Sequence, residues 1–183
     1  MIKLLEKSQS FISKFLKVYQ ISSDDLFSKL EKELEGFNFS WMLVDKFGFE
    51  RNAINWLKFS PALLKYLVNK VFFGKYDKGK EAEIKSARHL SSLGFEIVIM
   101  NYRSVNGEID IVIFGSGIIR FVEVKSSYTS IIEPEERIDK IKINKILAVS
   151  EDFFVDLGGV FGGGYDVIVV GREGIFYLPD YLL

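Results

Sequence analysis

The chain has 183 residues, of which 48% are hydrophobic and 27% charged, and its formal net charge is −1. This composition is typical of a soluble globular protein with one domain or two small ones. The sequence contains no cysteine, which excludes disulfide frameworks and thiolate zinc sites.

The charge is unevenly distributed along the chain. Residues 1–78 hold 13 Lys and Arg against 9 Asp and Glu (+4), whereas residues 79–183 hold 11 against 16 (−5). This offset suggests two modules with different roles, although a mixed surface can produce it by chance. The N-terminal stretch has no small-residue cleavage site, and no apolar run approaches the roughly 18 residues that span a bilayer. We therefore expect a cytoplasmic protein that does not enter the membrane.

Residues 1–73 carry helical patterns. Apolar side chains recur at helical spacing over 2–19, and Ser22 and Ser23 are suitable N-capping residues for a second helix that stops at Gly36. Ser60-Pro61 gives a similar start signal before a helix that reaches residue 73. The sequence therefore predicts a small all-α module over 1–73, followed by a polar, glycine-containing linker over 74–79.

From residue 80 onward, helix and strand patterns alternate. A helix over 80–92 precedes three β-rich runs, and a second helix over about 135–156 precedes a glycine cluster and two more strands. The β-rich runs are FEIVIMN, GEIDIVIF, IIRFVEVK, YDVIVVG and GIFYL. The order α-β-β-β-α-β-β predicts an α/β domain over 80–183, with a mixed sheet flanked by helices.

Two neighbouring strands carry charged side chains among isoleucines, valines and phenylalanines. Side chains alternate along a strand, and the turn at 115–117 folds the second strand back on the first. Asp110 on the first strand can then lie near Glu123 and Lys125 on the second. Because desolvating these charges is costly, their presence in a buried hairpin indicates a function.

The helix over 80–92 supplies a third carboxylate. At 100° per residue, Glu83 falls in the middle of the apolar stripe, whereas Glu81 falls on the opposite side and is expected to face water. Three carboxylates that converge on a partly dry site repel one another, and a divalent cation resolves the repulsion. Oxygen ligands without His or Cys suit Mg²⁺ or Mn²⁺, so we expect a metal ion there and no small-molecule cofactor.

Lys125 would place a positive charge beside such an ion. It could orient or deprotonate an attacking water, or stabilise charge that develops on a phosphate. This combination is suited to phosphodiester hydrolysis. Each residue also has a structural interpretation, because Asp110 could simply pair with Lys125 and a Glu-x-Lys tripeptide is common.

The arrangement of Asp110, a short hairpin and then Glu123-Val124-Lys125 is similar to the signature of the PD-(D/E)XK nucleases. More narrowly, residues 79–183 resemble the YraN-type family of Holliday-junction-resolvase-like proteins and, more distantly, the archaeal Holliday-junction resolvases. The stretches that carry the resemblance are GKEAEIKSARHLSSLGFEIVIMNYRSVNGEIDIV, FVEVK, IDKIK and YDVIVV. The resemblance implies a restriction-endonuclease-like fold and a metal-dependent DNA endonuclease, with branched DNA as one candidate substrate.

The resemblance also assigns roles to individual residues. It implies Glu83, Asp110 and Glu123 as the acidic metal-site residues and Lys125 as the catalytic lysine. The alternation of side chains on the two strands and the apolar stripe of the helix indicate the same four residues. It further implies a homodimer, since junction resolvases make paired cuts with two symmetry-related sites. Three more cations are candidate DNA contacts, the first of them implied by the resemblance: Lys142, Lys145 and Arg103.

The sequence departs from the family pattern at two positions. Ser127 stands where the family usually has a basic residue two positions after the lysine, and Gly164 stands where an arginine usually precedes the YDV stretch. We expect both departures to concern the grip on the substrate rather than metal binding.

One segment of the helical module, SWMLVDKFGFERNAINWLKF, fits a helix-turn-helix with its turn at Gly48. Val44 would pack between the two helices, and Ile54 and Leu57 would lie on the buried side of the second. The side chains exposed on that second helix, as candidate DNA-base readers, would be Arg51, Asn52, Asn55 and Lys58. Any two amphipathic helices joined at a glycine give the same pattern, so a plain packing module is the alternative.

The sequence thus favours a metal-dependent DNA endonuclease with a helical, DNA-binding front module. The second hypothesis is a DNA-binding or assembly protein that uses a nuclease-like fold without catalysis. The third is a purely structural cluster of ion pairs.

Overall fold

The computed structural model describes residues 1–126, 140–159 and 163–181, and the side chains of 140–142 lie outside that description. Over residues 1–73 the helices are α1 Ile2–Tyr19, α2 Ser23–Glu33, α3 Met42–Lys46, α4 Ala53–Leu57 and α5 Pro61–Phe73. The remaining elements are α6 Lys78–Ser92, β1 Glu96–Arg103, β2 Glu108–Gly115, β3 Ile118–Ser126, α7 Lys140–Leu157, β4 Gly163–Val170 and β5 Ile175–Leu178. The predicted order of helices and strands after residue 78 is confirmed.

Local signals in the sequence set several helix ends. The hydroxyl of Ser22 accepts a hydrogen bond from the backbone N–H of Asp25 (3.1 Å), and Pro61 stands in the first turn of α5. Gly74 ends α5 in the left-handed conformation, with φ at 62°. The carboxylate of Asp77 then accepts the N–H of Lys80 (3.0 Å) and starts α6 two residues earlier than predicted.

The five strands form one mixed sheet in the order β1-β2-β3-β4-β5. All neighbours are antiparallel except β3 and β4, which are parallel and are connected through α7. Ser116 and Gly117, with φ values of 53° and 80°, form the β2–β3 turn and place Val112 opposite Phe121. The mixed sheet flanked by helices is confirmed.

Residues 1–73 share one hydrophobic core with this sheet. Trp56 is fully buried, and its indole N–H donates to the carbonyls of Ile97 and Val98 on β1, at 3.0 Å each. Phe39 forms a parallel β-bridge with Ile97, and the hydroxyl of Ser60 accepts the N–H of Met100 (3.0 Å). The stretch at 74–79 therefore joins two parts of one core rather than separating two cores.

The second helix of the predicted helix-turn-helix, which was expected to include Arg51 and Asn52, begins later than predicted. α4 begins at Ala53, after Arg51, and both α3 and α4 have only five residues. Gly48 does adopt positive φ at the turn (71°), and Val44, Ile54 and Leu57 are buried as expected. These buried side chains serve the shared core, so the pattern matches the packing alternative.

Side chains of the same segment that were expected to read DNA bases bond within the protein. Arg51 pairs with Asp45, its nitrogens lying 2.6 and 3.0 Å from the two carboxylate oxygens. The side chain of Asn52 caps α4 by accepting a hydrogen bond from the backbone N–H of Asn55 (2.8 Å). The side-chain amide of Asn55 donates to the backbone carbonyl of Glu50 and accepts from the ammonium of Lys58, at 2.8 Å each.

None of the helices in the described ranges has the length and the apolar character needed to cross a membrane.

Candidate functional site

Asp110 lies near the start of β2, just beyond the point where the β2–β3 ladder ends at the pair Ile111 and Val122. Its Oδ2 accepts a hydrogen bond from the backbone N–H of Val124, at 2.8 Å. Val124 is the middle residue of the Glu-Val-Lys stretch on β3, so this hydrogen bond fixes Asp110 directly beside Glu123 and Lys125.

The charge state of Asp110 reflects its surroundings. Burial above all, and then the negative charges of Glu123 and Glu83, raise the pKa of Asp110 to about 7, although the Val124 N–H and Lys80 act in the opposite direction. Glu123 and Glu83 therefore both act electrostatically on Asp110. In the absence of a cation, Asp110 therefore keeps its proton to a much higher pH than an ordinary aspartate.

Glu83 is buried on α6, as its position in the apolar stripe predicted. The ammonium of Lys80 donates to both of its carboxylate oxygens, at 2.8 and 3.0 Å, and lies 3.9 Å from Glu108. The amide of Asn101 donates to the same carboxylate at 2.6 Å. Glu83 therefore has two tight partners in the protein, one of them cationic.

Asn101 has features that set it apart from the rest of β1. It has a positive φ of 54°, its side chain is buried, and its Oδ1 finds no hydrogen-bond donor among the described residues. Asparagine tolerates the left-handed conformation better than most residues. A buried carbonyl oxygen without a donor is costly and leaves an acceptor available beside Glu83.

Glu123 and Lys125 lie at the C-terminal end of β3. The Lys125 ammonium is 3.3 Å from Glu123 Oε1, and the side chains of Lys125 and Glu123 are 37% and 14% exposed, respectively. Lys125 is therefore the more accessible of the pair and can reach solvent or a substrate while staying close to the carboxylates.

Oxygen donors dominate this site, and their chemistry fits a hard divalent cation such as Mg²⁺ or Mn²⁺. Asp110, Glu123 and Glu83 would hold the ion, which would also relieve the repulsion that raises the pKa of Asp110. Within residues 1–126, 140–159 and 163–181, no three acidic or histidine side chains already lie close enough together to bind a metal. Because Lys80 donates to both oxygens of Glu83, a metal ion at this carboxylate would compete with the lysine.

Glu81 occupies a different environment from the one expected. It is buried rather than solvent-facing, accepts a hydrogen bond from the Tyr66 hydroxyl (2.6 Å) and pairs with Lys70 (2.8 Å). Both partners belong to α5, so Glu81 points towards side chains of that helix, whereas Lys85 on the same side of α6 stays exposed as the sequence pattern predicted.

The predicted DNA-binding cations of this domain are spread around it. Arg103 is exposed at the end of β1 and pairs with Glu108 at 2.7 Å. Lys145 is exposed on α7. The side chain of Lys142 lies outside the described residues, as does Ser127.

Sequence reasoning missed Lys80 and Asn101 as neighbours of the acidic residues. Lys80 precedes Glu83 by three residues, a spacing that brings side chains together on a helix, and this signal could have identified it. Nothing in the local pattern marks Asn101, since its role depends on the contact between β1 and α6.

The departure at Gly164 has a structural explanation. A Cβ at this position would lie 2.6 Å from the guanidinium carbon of Arg120, its partner across the β3–β4 ladder. Arg120 forms two hydrogen bonds of 2.6 Å with the fully buried Asp166 and also pairs with Asp180. An arginine from β3 therefore fills the space next to Gly164 and holds β4 and the segment after β5 together.

Comparison with known proteins gives a family for the second half of the chain. The model of the uncharacterised protein family UPF0102 matches residues 82–170. A UPF0102 protein of Pseudothermotoga lettingae is 41% identical over 102 residues, which are 55% of this chain and 94% of that protein. A UPF0102 protein of a Sulfurihydrogenibium species is 38% identical over 109 residues, which are 58% of this chain and 94% of that protein. A UPF0102 protein of Persephonella marina is 36% identical over 106 residues, which are 56% of this chain and 90% of that protein. The strands β1 to β4 and the acidic site therefore lie within the residues that the family model matches, and the chain belongs to the UPF0102 family.

Proposed function

We propose that this protein is a metal-dependent DNA endonuclease of the PD-(D/E)XK type, with branched DNA as a candidate substrate. One observation carries the proposal: Asp110 is fixed on the backbone of Val124, inside the Glu-Val-Lys stretch, and its pKa is raised to about 7 by burial and by Glu123 and Glu83. A shifted carboxyl group among further carboxylates and a lysine is typical of a catalytic site.

Each residue has a role in this proposal. Asp110, Glu123 and Glu83 would hold the Mg²⁺ or Mn²⁺ ion, which when bound would supply Lewis acidity toward a phosphate oxygen. Lys125, close to Glu123 and partly exposed, orients the attacking water or stabilises negative charge on the phosphate. Asn101 helps to position the Glu83 carboxylate.

A non-catalytic DNA-binding or assembly protein is the second candidate function. The observation that favours it is the contact of Lys80 with both oxygens of Glu83, because a lysine in that place satisfies the carboxylate without a metal ion. In that case the acidic site is a structural cluster of ion pairs.

Cleavage of defined DNA substrates tests the proposal. Labelled four-way junction, flap, duplex and single-stranded DNA are incubated with the full chain in Mg²⁺, Mn²⁺ or EDTA. We expect cleavage that depends on the metal and is abolished in Asp110→Asn and Glu123→Gln, because both lose a charged oxygen ligand. Glu31→Gln, at an exposed position on α2, is the matched control and should cut like the wild type.

Two results would reject the catalytic proposal in favour of the second candidate. One is the absence of cleavage of every substrate in both metals. The other is undiminished cleavage by folded Asp110→Asn or Glu123→Gln protein, which would point to a contaminating nuclease.

A homodimer remains part of the proposal on the strength of the resemblance to junction resolvases. β5, whose Phe176 is 46% exposed, lies at the edge of the sheet and offers a contact surface together with Tyr181. Light scattering at tens of micromolar protein should give twice the chain mass, and a monomer mass would reject the dimer.

A further inference from the structure

A cavity of about 150 Å³ lies between the first half of α6 and the ends of β3 and β4. Its polar lining comes from Tyr76, Lys78, Glu81, Lys85, Ser126 and Arg172. None of these residues belongs to the acidic site described above, and the cavity has no part in the proposed metal chemistry.

The lining of the cavity is strongly positive. Lys78 and Lys85 come from α6, and Arg172 comes from the loop between β4 and β5. The one carboxylate of the lining, Glu81, is already paired with Lys70 and hydrogen-bonded to Tyr66. Residues 79–183, which supply Lys85 and Arg172, carry a net charge of −5, so these cations stand out from the rest of that range, and Lys78 adds a third.

The cavity lies at the same end of β3 as the candidate catalytic lysine, Lys125, which is not itself part of the lining. Ser126 directly follows Lys125 on β3, and the two residues face Val170 and Val169 across the parallel ladder. A phosphodiester chain with one phosphate at Lys125 would therefore have the next phosphates within reach of this cavity. Cations spaced along such a path neutralise successive phosphates.

Tyr76 adds a flat aromatic surface at the rim, and it is 63% exposed. An exposed ring beside a positive groove is a platform on which an unpaired base can stack. A base inside a duplex is stacked on its neighbours and cannot use this ring without leaving the helix.

We propose that the cavity is a subsite for a single-stranded segment of DNA next to the cleavage site, with Lys78, Lys85 and Arg172 contacting phosphates and Tyr76 stacking on a base. This inference rests on the proposed nuclease function and narrows its substrate class to DNA that combines duplex with an unpaired strand, such as a flap.

The contribution of the three cations to DNA binding is tested by a binding assay rather than by cleavage. Fluorescence anisotropy measures binding of flap, single-stranded and blunt duplex DNA to the full chain in EDTA at several salt concentrations. The variant Lys78→Gln/Lys85→Gln/Arg172→Gln should bind flap DNA about tenfold or more weakly, with a salt slope lower by about 0.9 for each phosphate that the variant no longer neutralises. The control variant Lys3→Gln/Lys7→Gln/Lys14→Gln removes the same charge from α1 and should bind like the wild type.

The aromatic contribution is tested by substitutions of Tyr76. Tyr76→Ala should weaken binding of flap and single-stranded DNA several-fold and leave blunt duplex binding unchanged, whereas Tyr76→Trp should retain flap binding. Equal weakening for duplex and flap DNA would overturn the assignment of a single-stranded segment.

The outcomes separate this inference from the proposed function. If the wild type cleaves DNA but the cavity variant binds with the affinity and salt slope of the α1 control, the subsite is wrong and the nuclease proposal stands. If the wild type binds flap DNA through these residues and cleaves nothing, the subsite stands and the catalytic proposal falls. If the wild type neither binds nor cleaves DNA, both are overturned. Circular dichroism confirms folding of each variant, and Lys78→Arg/Lys85→Arg should retain binding because the charge is kept.

Discussion

Asp110 combines a buried carboxyl group with two negative neighbours, and its pKa of about 7 lies well above the ordinary value of 3.8. At a pH between these two values, Asp110 has lost its proton in the unfolded chain but still holds it in the folded protein. The free energy of unfolding therefore falls as the pH rises from about 4 to about 7, and the loss is complete above pH 7. The total loss of unfolding free energy in the metal-free protein is roughly 4 kcal/mol.

Asp110→Asn should therefore stabilise the metal-free protein at high pH. Asparagine cannot ionise, and its Oδ1 can still accept the N–H of Val124. Melting in EDTA should give a Tm several degrees above that of the wild type at pH 8 and an unchanged Tm near pH 4. Asp45→Asn is the contrasting control. Arg51 holds the pKa of Asp45 below its ordinary value, so this variant should show no gain in Tm above pH 4. A Tm gain for Asp110→Asn that does not depend on pH would contradict this account.

Lys80 is expected to compete with a metal ion for the Glu83 carboxylate. Its ammonium engages both carboxylate oxygens at 2.8 and 3.0 Å, and a cation that binds there must displace it. Lys80→Met should therefore tighten Mn²⁺ binding, by roughly three- to tenfold, since an opposing charge a few ångströms away is removed. Titration at pH 8.5, where Asp110 is ionised in both proteins, keeps the proton on Asp110 from obscuring the comparison.

The binding of Mn²⁺ can be followed by electron paramagnetic resonance, which does not depend on catalysis. Lys75→Gln, at an exposed position before α6, is the charge-matched control and should bind Mn²⁺ like the wild type. Weaker binding by Lys80→Met would show that the lysine supports the metal site instead of competing for it.

At the scale of single elements, α4 illustrates how a short helix depends on its cap. Five residues make too few intrahelical hydrogen bonds for independent stability, and the side chain of Asn52 satisfies one of the open N–H groups at the first turn. The buried Trp56 and Leu57 then attach the helix to the core.

Asn52→Ala should cost about 1 kcal/mol of unfolding free energy and leave DNA binding unchanged. Asn52→Asp retains an acceptor for the Asn55 N–H and should be close to the wild type. Urea unfolding gives the stabilities, and anisotropy with duplex DNA gives the binding. A variant that keeps full stability but binds duplex DNA more weakly would revive the prediction that this segment reads DNA.

At the scale of the whole molecule, the helical module and the sheet are joined through β1. Main-chain and side-chain groups of residues 38–60 bond to Ile97, Val98 and Met100, and the apolar side chains of both parts form one cluster. The UPF0102 relatives match only the second part, so this chain adds the helical module to a domain that those proteins possess without it.

The two parts should unfold together. Both tryptophans, Trp41 and Trp56, belong to the helical module, so their fluorescence reports on that part alone, while calorimetry reports on the whole chain. The two transitions should coincide, and Trp56→Phe, which loses the hydrogen bond to β1, should shift both together by roughly 1–3 kcal/mol. Two separated transitions, with only the fluorescence transition moved by Trp56→Phe, would instead show two independent modules.

The order of helices and strands after residue 78, the β2–β3 hairpin and the burial of Glu83 could all be predicted from the sequence. These features follow from residue periodicity and turn residues, which act over a few positions in the chain. Asp110, Glu123 and Lys125 could be brought near one another for the same reason, because a short hairpin fixes which residues of two strands are neighbours.

The partners of the acidic residues, and the elements that cover them, were set by tertiary packing. Tyr66 and Lys70 of α5 reach Glu81 on the side of α6 that the periodicity assigned to water, and Glu81 is buried there. Asn101 approaches Glu83 because β1 runs beside the first turns of α6, and Trp56 reaches β1 from 41 residues away in the chain. Contacts of this kind depend on how whole elements pack, and a periodic pattern shows that a face is covered without showing which element covers it.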